Sequence, residues 1–387
     1  MGLGSIVEGI PQPYAERIAD EPKTLGTALH PKYNSLNFLR LVLATTVLVS
    51  HARVIGGFGG EGVLHGTTFG TVAVYGFFGI SGYLIAGSAE RNGAGRYLWQ
   101  RCLRILPGFW MALIVTAFGL AWLGWLDQHH AGSYLALSRN SPFGFVTHNW
   151  FLDMHQSLIG MIAWNGSLWT LFYEFLCYLL LLGLARIGVL RRRAVLLAIA
   201  GGLWVVQAII TITPGQDRTF NVFHNWWVMN LVKLAAIFLV GAAIYMWRDR
   251  VPDSGWFALG CTVLFAATLM LPGHLPAYYF RASDLGAPLI AYPLLWLGAY
   301  LPFQRIGAVN DYSYGIYIYA YPVTVLLSIW GANKLGYVPF ALFGIAATAP
   351  LAAASWWMIE KRAMSLRRVE WRRVAPRLPR RGASSTT

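Results

Sequence analysis

The chain has 387 residues, of which 56% are hydrophobic and only 12% are charged, and its mean hydropathy of +0.50 excludes an ordinary soluble domain. The net charge of +14 would suit a nucleic-acid binder, but the basic residues cluster beside long apolar runs, as in proteins that span a membrane. Cys102, Cys177 and Cys261 lack the spacing of a metal site or a redox pair. The composition therefore predicts a polytopic membrane protein with no metal site and no nucleic-acid partner.

Apolar runs of bilayer length recur along the whole chain. They predict an all-α, polytopic transmembrane helical bundle of about ten spans, near residues 36–55, 71–89, 106–126, 168–185, 194–213, 228–247, 255–272, 285–302, 313–331 and 336–358. With the N-terminus inside, most of the 30 lysine and arginine residues lie on the cytoplasmic side, and the outer loops carry only Arg53, Arg139, Arg218, Arg281 and Lys334. Because cytoplasmic loops are enriched in basic residues, this asymmetry predicts an N-in/C-in orientation.

The chain divides into three parts. Residues 1–35 are polar, lack the pattern of a cleavable signal peptide and form a predicted cytoplasmic N-terminal arm. Residues 36–362 form the transmembrane domain, and residues 363–387 form a basic cytoplasmic tail that we expect to be disordered. No gap between spans is long enough for a soluble domain. We therefore expect a multi-pass protein of the inner or plasma membrane, with any chemistry in or at the bilayer.

Two ionisable residues, Arg40 and His51, interrupt the apolar run of the first span. Their spacing of eleven residues is close to three helical turns, so both side chains leave the same helix face, roughly 16 Å apart along the axis. Asn37 joins this face one turn earlier. Such a polar stripe avoids lipid and faces a protein interior or a wet cavity. It is either a structural stripe that holds helices together or part of a functional site.

The second span is rich in glycine, in the segment GFFGISGYLIAG. Small residues allow a neighbouring helix or a slender ligand chain to approach the backbone closely. Ser81 lies between two of these glycines, but the nucleophile pattern G-x-S-x-G is absent because position 83 is occupied by Tyr83. The sequence therefore favours a packing role for Ser81 over a nucleophilic one.

Arg101 and Arg104 precede the predicted third span on its cytoplasmic side. At positions i and i+3 they share a helix face. Two guanidinium groups beside a membrane cavity suit the phosphates of a cytosolic ligand, because the planar fork of arginine matches phosphate oxygens. The alternative is the ordinary enrichment of cytoplasmic loops in arginine.

Glu174 lies about two turns into the fourth span, on the same face as Thr170 and Tyr178. A carboxylate at this depth needs a partner, and the opposite direction of the first span puts His51 at a similar depth. One expectation is a His51–Glu174 pair, which would fix the imidazole tautomer and raise its basicity. The other is a structural glutamate bonded to tyrosine or tryptophan groups.

The outer loop before the fourth span contains the spacing H-x4-D that glycerolipid acyltransferases use, at His148 and Asp153. The predicted topology puts this pair on the side away from a cytosolic acyl donor. Together with the neighbouring His155, these residues are candidates only for the acceptor side.

In this order, the segments resemble the acyltransferase 3 family of integral membrane acyltransferases. The resemblance covers about residues 35–362, and nothing after residue 362 resembles the C-terminal SGNH-type domain of many relatives. One position departs from the family pattern, since many relatives have a histidine where this chain has Ala320. We assign no catalytic residue there. The matching positions are Arg40 and His51; Phe77, Phe78, Ser81, Gly82, Tyr83, Leu84 and Ile85; Arg101, Arg104, Pro107 and Trp110; Asn165, Gly166, Leu168, Trp169, Thr170, Leu171 and Glu174; and the segments 311–323 and 356–362.

The resemblance implies an acyl-CoA-dependent O-acyltransferase. Such an enzyme moves an acyl group, commonly acetyl, from cytosolic acyl-CoA to a hydroxyl of a cell-surface or membrane-linked carbohydrate. Acyl-CoA is then a substrate, and we expect no permanently bound cofactor. The chemistry needs a base for the hydroxyl, stabilisation of the thioester carbonyl and cations for the CoA phosphates.

These requirements assign roles to the polar residues of the spans. His51 is the candidate base, and Glu174 orients it or places the acceptor. Arg101 and Arg104 would bind CoA phosphates, and Arg40 the pantetheine or pyrophosphate portion. Further candidates for the substrate path are Asn37, Ser81, Tyr83, Trp169 and Asp153. Direct transfer and a covalent acyl-histidine step are both compatible with His51. The rival interpretations are a transporter that exports a glycan or lipid without chemistry, and a scaffold.

Overall fold

The computed structural model describes residues 23–60, 67–128, 142–149, 163–212, 226–271 and 282–368. Within these ranges the chain is helical without a β-strand, and an isolated bridge pairs Thr24 with Pro252. The predicted all-α bundle is confirmed. Its longer helices are α1 (Leu36–Ile55), α2 (Phe69–Arg91), α3 (Ala94–Val115), α4 (Pro142–Asn149), α5 (Trp169–Arg186), α6 (Arg193–Ile212), α7 (Trp226–Trp247), α8 (Gly255–Met270), α9 (Ala291–Tyr300, preceded by the short helices Ala282–Gly286 and Ala287–Ile290), α10 (Ser313–Ile329) and α11 (Tyr337–Ser355).

Two of these helices continue through short π-helical segments. The π-helix Thr116–Leu120 joins α3 to the α-helix Ala121–Gln128. At the other end of the chain, the π-helix Trp356–Glu360 joins α11 to the α-helix Lys361–Ser365 and the 3-10 turn Leu366–Arg368. The described helical structure therefore extends beyond residue 362, where we expected the tail to begin.

Within the described ranges, six helices are long and apolar enough to cross a membrane, namely Leu36–Ile55, Phe69–Arg91, Ala94–Leu126, Trp169–Arg186, Trp227–Trp247 and Tyr337–Ser365. Three shorter apolar helices are Arg193–Ile209, Gly255–Met270 and Ser313–Ile329. Together with α9, these segments fall on the apolar runs of the sequence. The chain is a multi-pass helical membrane protein, while the count of ten spans and the N-in/C-in orientation stay predictions.

The third span begins earlier than its hydropathy indicates. α3 starts at Ala94, well before residue 106, and Pro107 lies inside the helix. Its first turns carry Arg96, Arg101 and Arg104, which lower the local hydropathy and conceal the helix in an apolar pattern. Arg101 and Arg104 therefore project from a continuous helix, on the shared face that their spacing predicts.

The centre of the bundle is the contact between α2 and α7, the most buried of the long helices in the described part of the chain. A Cβ atom on Gly82 would lie 1.9 Å from the carbonyl oxygen of Phe238, and a Cβ atom on Gly241 would lie 2.1 Å from the carbonyl oxygen of Gly79. The two backbones thus touch with no side chain between them. The glycine-rich face of the second span is covered by a helix and not left open for a ligand chain.

The elements around α2 position the polar residues. α1 packs against α2, α10 and α11, and α5 packs against α2 and α3. On the outside of the bundle, large apolar side chains such as Trp256, Val263 and Leu264 are exposed on α8. A contiguous apolar surface of this kind suits lipid contact. Arg40 of α1, Arg101 and Arg104 of α3 and Glu174 of α5 instead face the interior, where these three helices approach the loop before α10.

Candidate active site

A polar cavity of about 350 Å³ lies where α1, α2, α3 and α5 approach the loop before α10 and the helical extension of α11. It brings together six residues that the sequence singled out, namely Asn37, Arg40, Ser81, Arg101, Arg104 and Glu174. Its remaining polar wall contains Tyr178, Asp311, Tyr314 and Arg367. Residues from six separate parts of the sequence therefore converge on one cavity, which we call the arginine cavity.

Asp311, in the loop before α10, holds two of the arginines. Its Oδ2 accepts hydrogen bonds from Nη1 of Arg40 at 3.1 Å and from Nη2 of Arg104 at 2.5 Å. Its Oδ1 accepts from the backbone N–H of Ser313 at 3.2 Å and from the Ser313 hydroxyl at 2.5 Å. Burial alone would raise the pKa of Asp311, but the charges of Arg104 and Arg40 and the Ser313 hydrogen bonds hold it well below its usual range. The ionised carboxylate therefore links α1 to α3.

Arg101 has a different environment. Its guanidinium lies over the rings of Tyr97 and Tyr178, 5.9 Å from each ring centroid. Among the described residues it forms no ion pair with a carboxylate, and its Nε is buried without a hydrogen-bond partner. A cation–π contact compensates for only part of the lost hydration of a buried cation. Arg101 is therefore available to pair with an anion that enters the cavity.

Glu174 is held by two hydroxyl groups. Its Oε1 accepts a hydrogen bond from Ser81 Oγ at 3.2 Å and one from Tyr178 OH at 2.5 Å. The expected hydrogen bond between His51 and Glu174 is not formed between these two described residues. The second expectation, a glutamate bonded to a tyrosine, describes the observed contacts. The pairing was predicted from a similar expected depth of the two residues in the bilayer. Depth alone does not determine which helix faces lie side by side.

A second, narrow cavity of about 40 Å³ adjoins the arginine cavity. Arg40, Glu174 and Tyr314 line both cavities. The narrow cavity leads to Thr170 and Tyr317, whose hydroxyl groups form a hydrogen bond to each other. It therefore extends from Arg40 toward the start of α5 and the middle of α10, with the apolar side chains of Val74, Phe77, Phe78 and Leu171 in its wall.

The polar stripe of α1 is divided between two environments. Near its start, Asn37 Nδ2 donates to the carbonyl oxygen of Gly307 at 2.9 Å, and Arg40 lies in both cavities. Three turns later, the half-buried His51 ring packs edge-on against Tyr321, with 5.1 Å between the ring centroids. Tyr321 follows Tyr317 by one helical turn on α10. His51 thus lies beyond the narrow cavity, on the far side from the arginines.

The site thus combines a cavity lined by four arginines with a histidine whose ring partner, Tyr321, follows Tyr317 of the narrow cavity by one helical turn. A family model described as an acyltransferase domain, Acyl_transf_3, matches residues 33–357. The chain belongs to the acyltransferase 3 family. The resemblance seen in the motifs is therefore confirmed, and the protein is a multi-pass membrane acyltransferase.

Two curated relatives match most of the chain. One is an O-acetyl transferase of Shigella phage Sf6, which is 28% identical over 338 residues, or 86% of this chain and 96% of the relative. The other is Nodulation protein 10 of Rhizobium leguminosarum bv. viciae, which is 26% identical over 356 residues, or 86% of this chain and 94% of the relative. No solved structure matches the chain significantly. The similarity within the acyltransferase 3 family extends over nearly the full length of both relatives.

Other residues that the sequence singled out do not line the arginine cavity. Tyr83 is two residues from Ser81, so it leaves the opposite side of α2, where its ring packs edge-on against Tyr245 at 5.3 Å. Trp169 begins α5 and packs edge-on against Tyr173 at 5.7 Å. Of the outer-loop candidates, Asp153 and His155 lie outside the described residues. For His148 the structure describes the backbone, in α4, but not the side chain.

Two cavity residues of this acyltransferase 3 member, Asp311 and Arg367, were not among the site residues predicted from the sequence. A signal for Asp311 existed, because Arg40 and Arg104 in a membrane domain need counter-charges, and Asp311 directly precedes an apolar run. Arg367 had no such signal, since it lies in a tail rich in arginine. Its position in the cavity depends on the helical extension of α11, which hydropathy does not predict.

Proposed function

We propose that the protein is a membrane O-acyltransferase that moves an acetyl group from cytosolic acetyl-CoA to a hydroxyl of a cell-surface or membrane-linked carbohydrate, in the inner or plasma membrane. The observation that carries this proposal is the arginine cavity, which shares Arg40, Glu174 and Tyr314 with the narrow cavity. The name of the phage relative, an O-acetyl transferase, supports the choice of acetyl and of a hydroxyl acceptor.

The arginine cavity fits the phosphorylated end of the acyl donor. Arg40, Arg101, Arg104 and Arg367 line it, against the carboxylates Asp311 and Glu174, so its walls carry more positive than negative charge. Guanidinium groups bind phosphate oxygens in a bidentate manner. The slender pantetheine arm would then extend through the narrow cavity, where Arg40 is in reach, and present the thioester toward His51.

His51 would act as the base. In direct transfer its imidazole accepts the proton of the acceptor hydroxyl, and the hydroxyl oxygen attacks the thioester carbonyl. The carbon–sulfur bond breaks, and the CoA thiolate leaves and takes up a proton. Glu174 is held by Ser81 and Tyr178. We therefore propose that it positions the acyl donor or acceptor in the narrow cavity and does not orient His51.

A thiol-release assay tests this function. Purified protein with acetyl-CoA and a candidate carbohydrate acceptor should release free CoA, and mass spectrometry of the acceptor should show the mass of one acetyl group per modified hydroxyl. His51→Ala should bind CoA and lose release. An exporter of a glycan or lipid would bind the carbohydrate with thiol release at background, which would contradict the proposal.

A further inference from the structure

We propose that Arg367, in the helical extension of α11 (residues 361–368), is part of the acyl-donor site and binds a phosphate group of the donor. This inference rests on the proposed function and assigns a role to a segment that the sequence marked only as a basic tail. In that tail, basic residues would ordinarily serve topology and contact with anionic lipid.

The extension is held against α3. Nε1 of Trp99 donates to the carbonyl oxygen of Leu366 at 3.3 Å. Nη1 of Arg104 lies 3.8 Å from Sδ of Met364, which lines the arginine cavity together with Arg367. These contacts hold the extension of α11 at the cavity, beside Arg101 and Arg104 of α3.

Among the residues that the structure describes, Arg367 is a half-buried cation without a carboxylate partner. Burial, together with the nearby charges of Arg104 and Arg101, lowers the pKa of Arg367 to about 10, so the side chain is still protonated at neutral pH. In the described part of the chain its hydrogen bond goes to Sδ of Met364, a weak acceptor, and its Nε is buried without a partner. Its charge is therefore poorly compensated by the protein.

The charge of Arg101, on the neighbouring wall of the same cavity, is also poorly compensated, because its Nε is buried without a hydrogen-bond partner among the described residues. Two like charges with poorly satisfied donors, on two different elements, are unfavourable unless an anion lies between them. A phosphate group supplies the charge and several acceptor oxygens. Since Asp311 already holds Arg40 and Arg104, Arg101 and Arg367 are the pair left for the ligand.

The inference predicts a dependence on the phosphates of the donor. In the purified full-length chain, Arg367→Ala should weaken CoA binding by about tenfold, the value of one hydrogen bond to a charged group. Binding of pantetheine, which lacks phosphate, should stay at the wild-type level, and Arg367→Lys should recover part of the CoA affinity. The matched control is Arg362→Ala, which removes an exposed charge from the same extension and should leave CoA binding unchanged.

The measurement is made in nanodiscs of neutral lipid and in nanodiscs that contain anionic lipid. The inference is overturned if Arg367→Ala binds CoA as well as the wild type, or if it weakens pantetheine equally, which would indicate a structural role. It is also overturned if the variant changes only the response to anionic lipid, since Arg367 would then bind a lipid headgroup. Failure of the wild type to bind CoA would instead reject the proposed acyl donor and this inference with it.

Discussion

Asp311→Asn removes a charge while keeping the shape of the side chain. In the structure this carboxylate bridges Arg40 and Arg104, and all three side chains are less than a fifth exposed. Opposite charges about 3 Å apart interact by about 5 kcal/mol at an effective dielectric constant of about 20. Desolvation offsets part of this energy in the intact site, but the variant leaves two buried cations without their partner. We expect the free energy of unfolding to fall by about 3–5 kcal/mol.

The assay is SDS-induced unfolding in mixed micelles, followed by tryptophan fluorescence. Asp249→Asn is the matched control, because Asp249 is 59% exposed and pairs with Arg248 at 3.7 Å, so its loss should change stability by at most about 1 kcal/mol. The pKa of Asp311 is lowered by folding, so its stabilisation is complete above the ordinary value of 3.8 and is lost as pH falls through the lowered pKa. If Asp311→Asn unfolds with the same midpoint as the control at pH 7, the argument for the ionic bridge is wrong.

Three further predictions concern other parts of the molecule. His51→Ala should lower the rate of thiol release by about 10²–10⁴-fold, the usual contribution of a general base, with CoA affinity unchanged by calorimetry. Arg101→Ala should weaken CoA binding by about tenfold and lower the free energy of unfolding by less than Asp311→Asn does, because among the described residues it loses two cation–π contacts and no ion pair. Gly82→Ala should destabilise the fold by about 1–3 kcal/mol or more, since its Cβ would meet the Phe238 carbonyl at 1.9 Å. In SDS unfolding its control is Gly183→Ala, where a Cβ meets nothing within 4 Å.

Each of these predictions has a result that contradicts it. Near-normal turnover by His51→Ala would reject the base assignment. A stability loss in Arg101→Ala as large as in Asp311→Asn would mean that Arg101 has a structural partner. Equal stability of the Gly82→Ala and Gly183→Ala variants would show that α2 and α7 separate easily.

Helical periodicity predicted which residues share a face but not which faces meet. The spacing of Arg40 from Asn37, and of Arg101 from Arg104, follows from the geometry of one helix, and all four residues reach the same cavity. The contact of His51 is with Tyr321 and not with Glu174. Lateral packing of helices depends on side-chain fit between them, and a single sequence does not carry this information in its hydropathy.

The composition of a segment was also an incomplete guide to where helices begin and end. Arg96, Arg101 and Arg104 concealed about three turns of α3, because hydropathy assigns charged residues at the end of an apolar run to a loop. The same effect assigned residues 363–368 to a tail, although they are helical and contribute Arg367 to the cavity. In a sequence, an arginine that binds a ligand cannot be distinguished from an arginine that determines membrane topology. Only the neighbours of the residue in space distinguish the two.

The backbone contact at Gly79 and Gly241 also restricts how the protein can move. Helices that touch through carbonyl oxygens cannot slide past each other by one residue without a clash, so we expect α2 and α7 to move together. Under the proposed function, entry of the acceptor and departure of CoA would then require displacement of elements that meet through side chains, such as α5 and α10. The glycines of the second span would thereby serve turnover as the fixed frame against which the rest of the bundle opens.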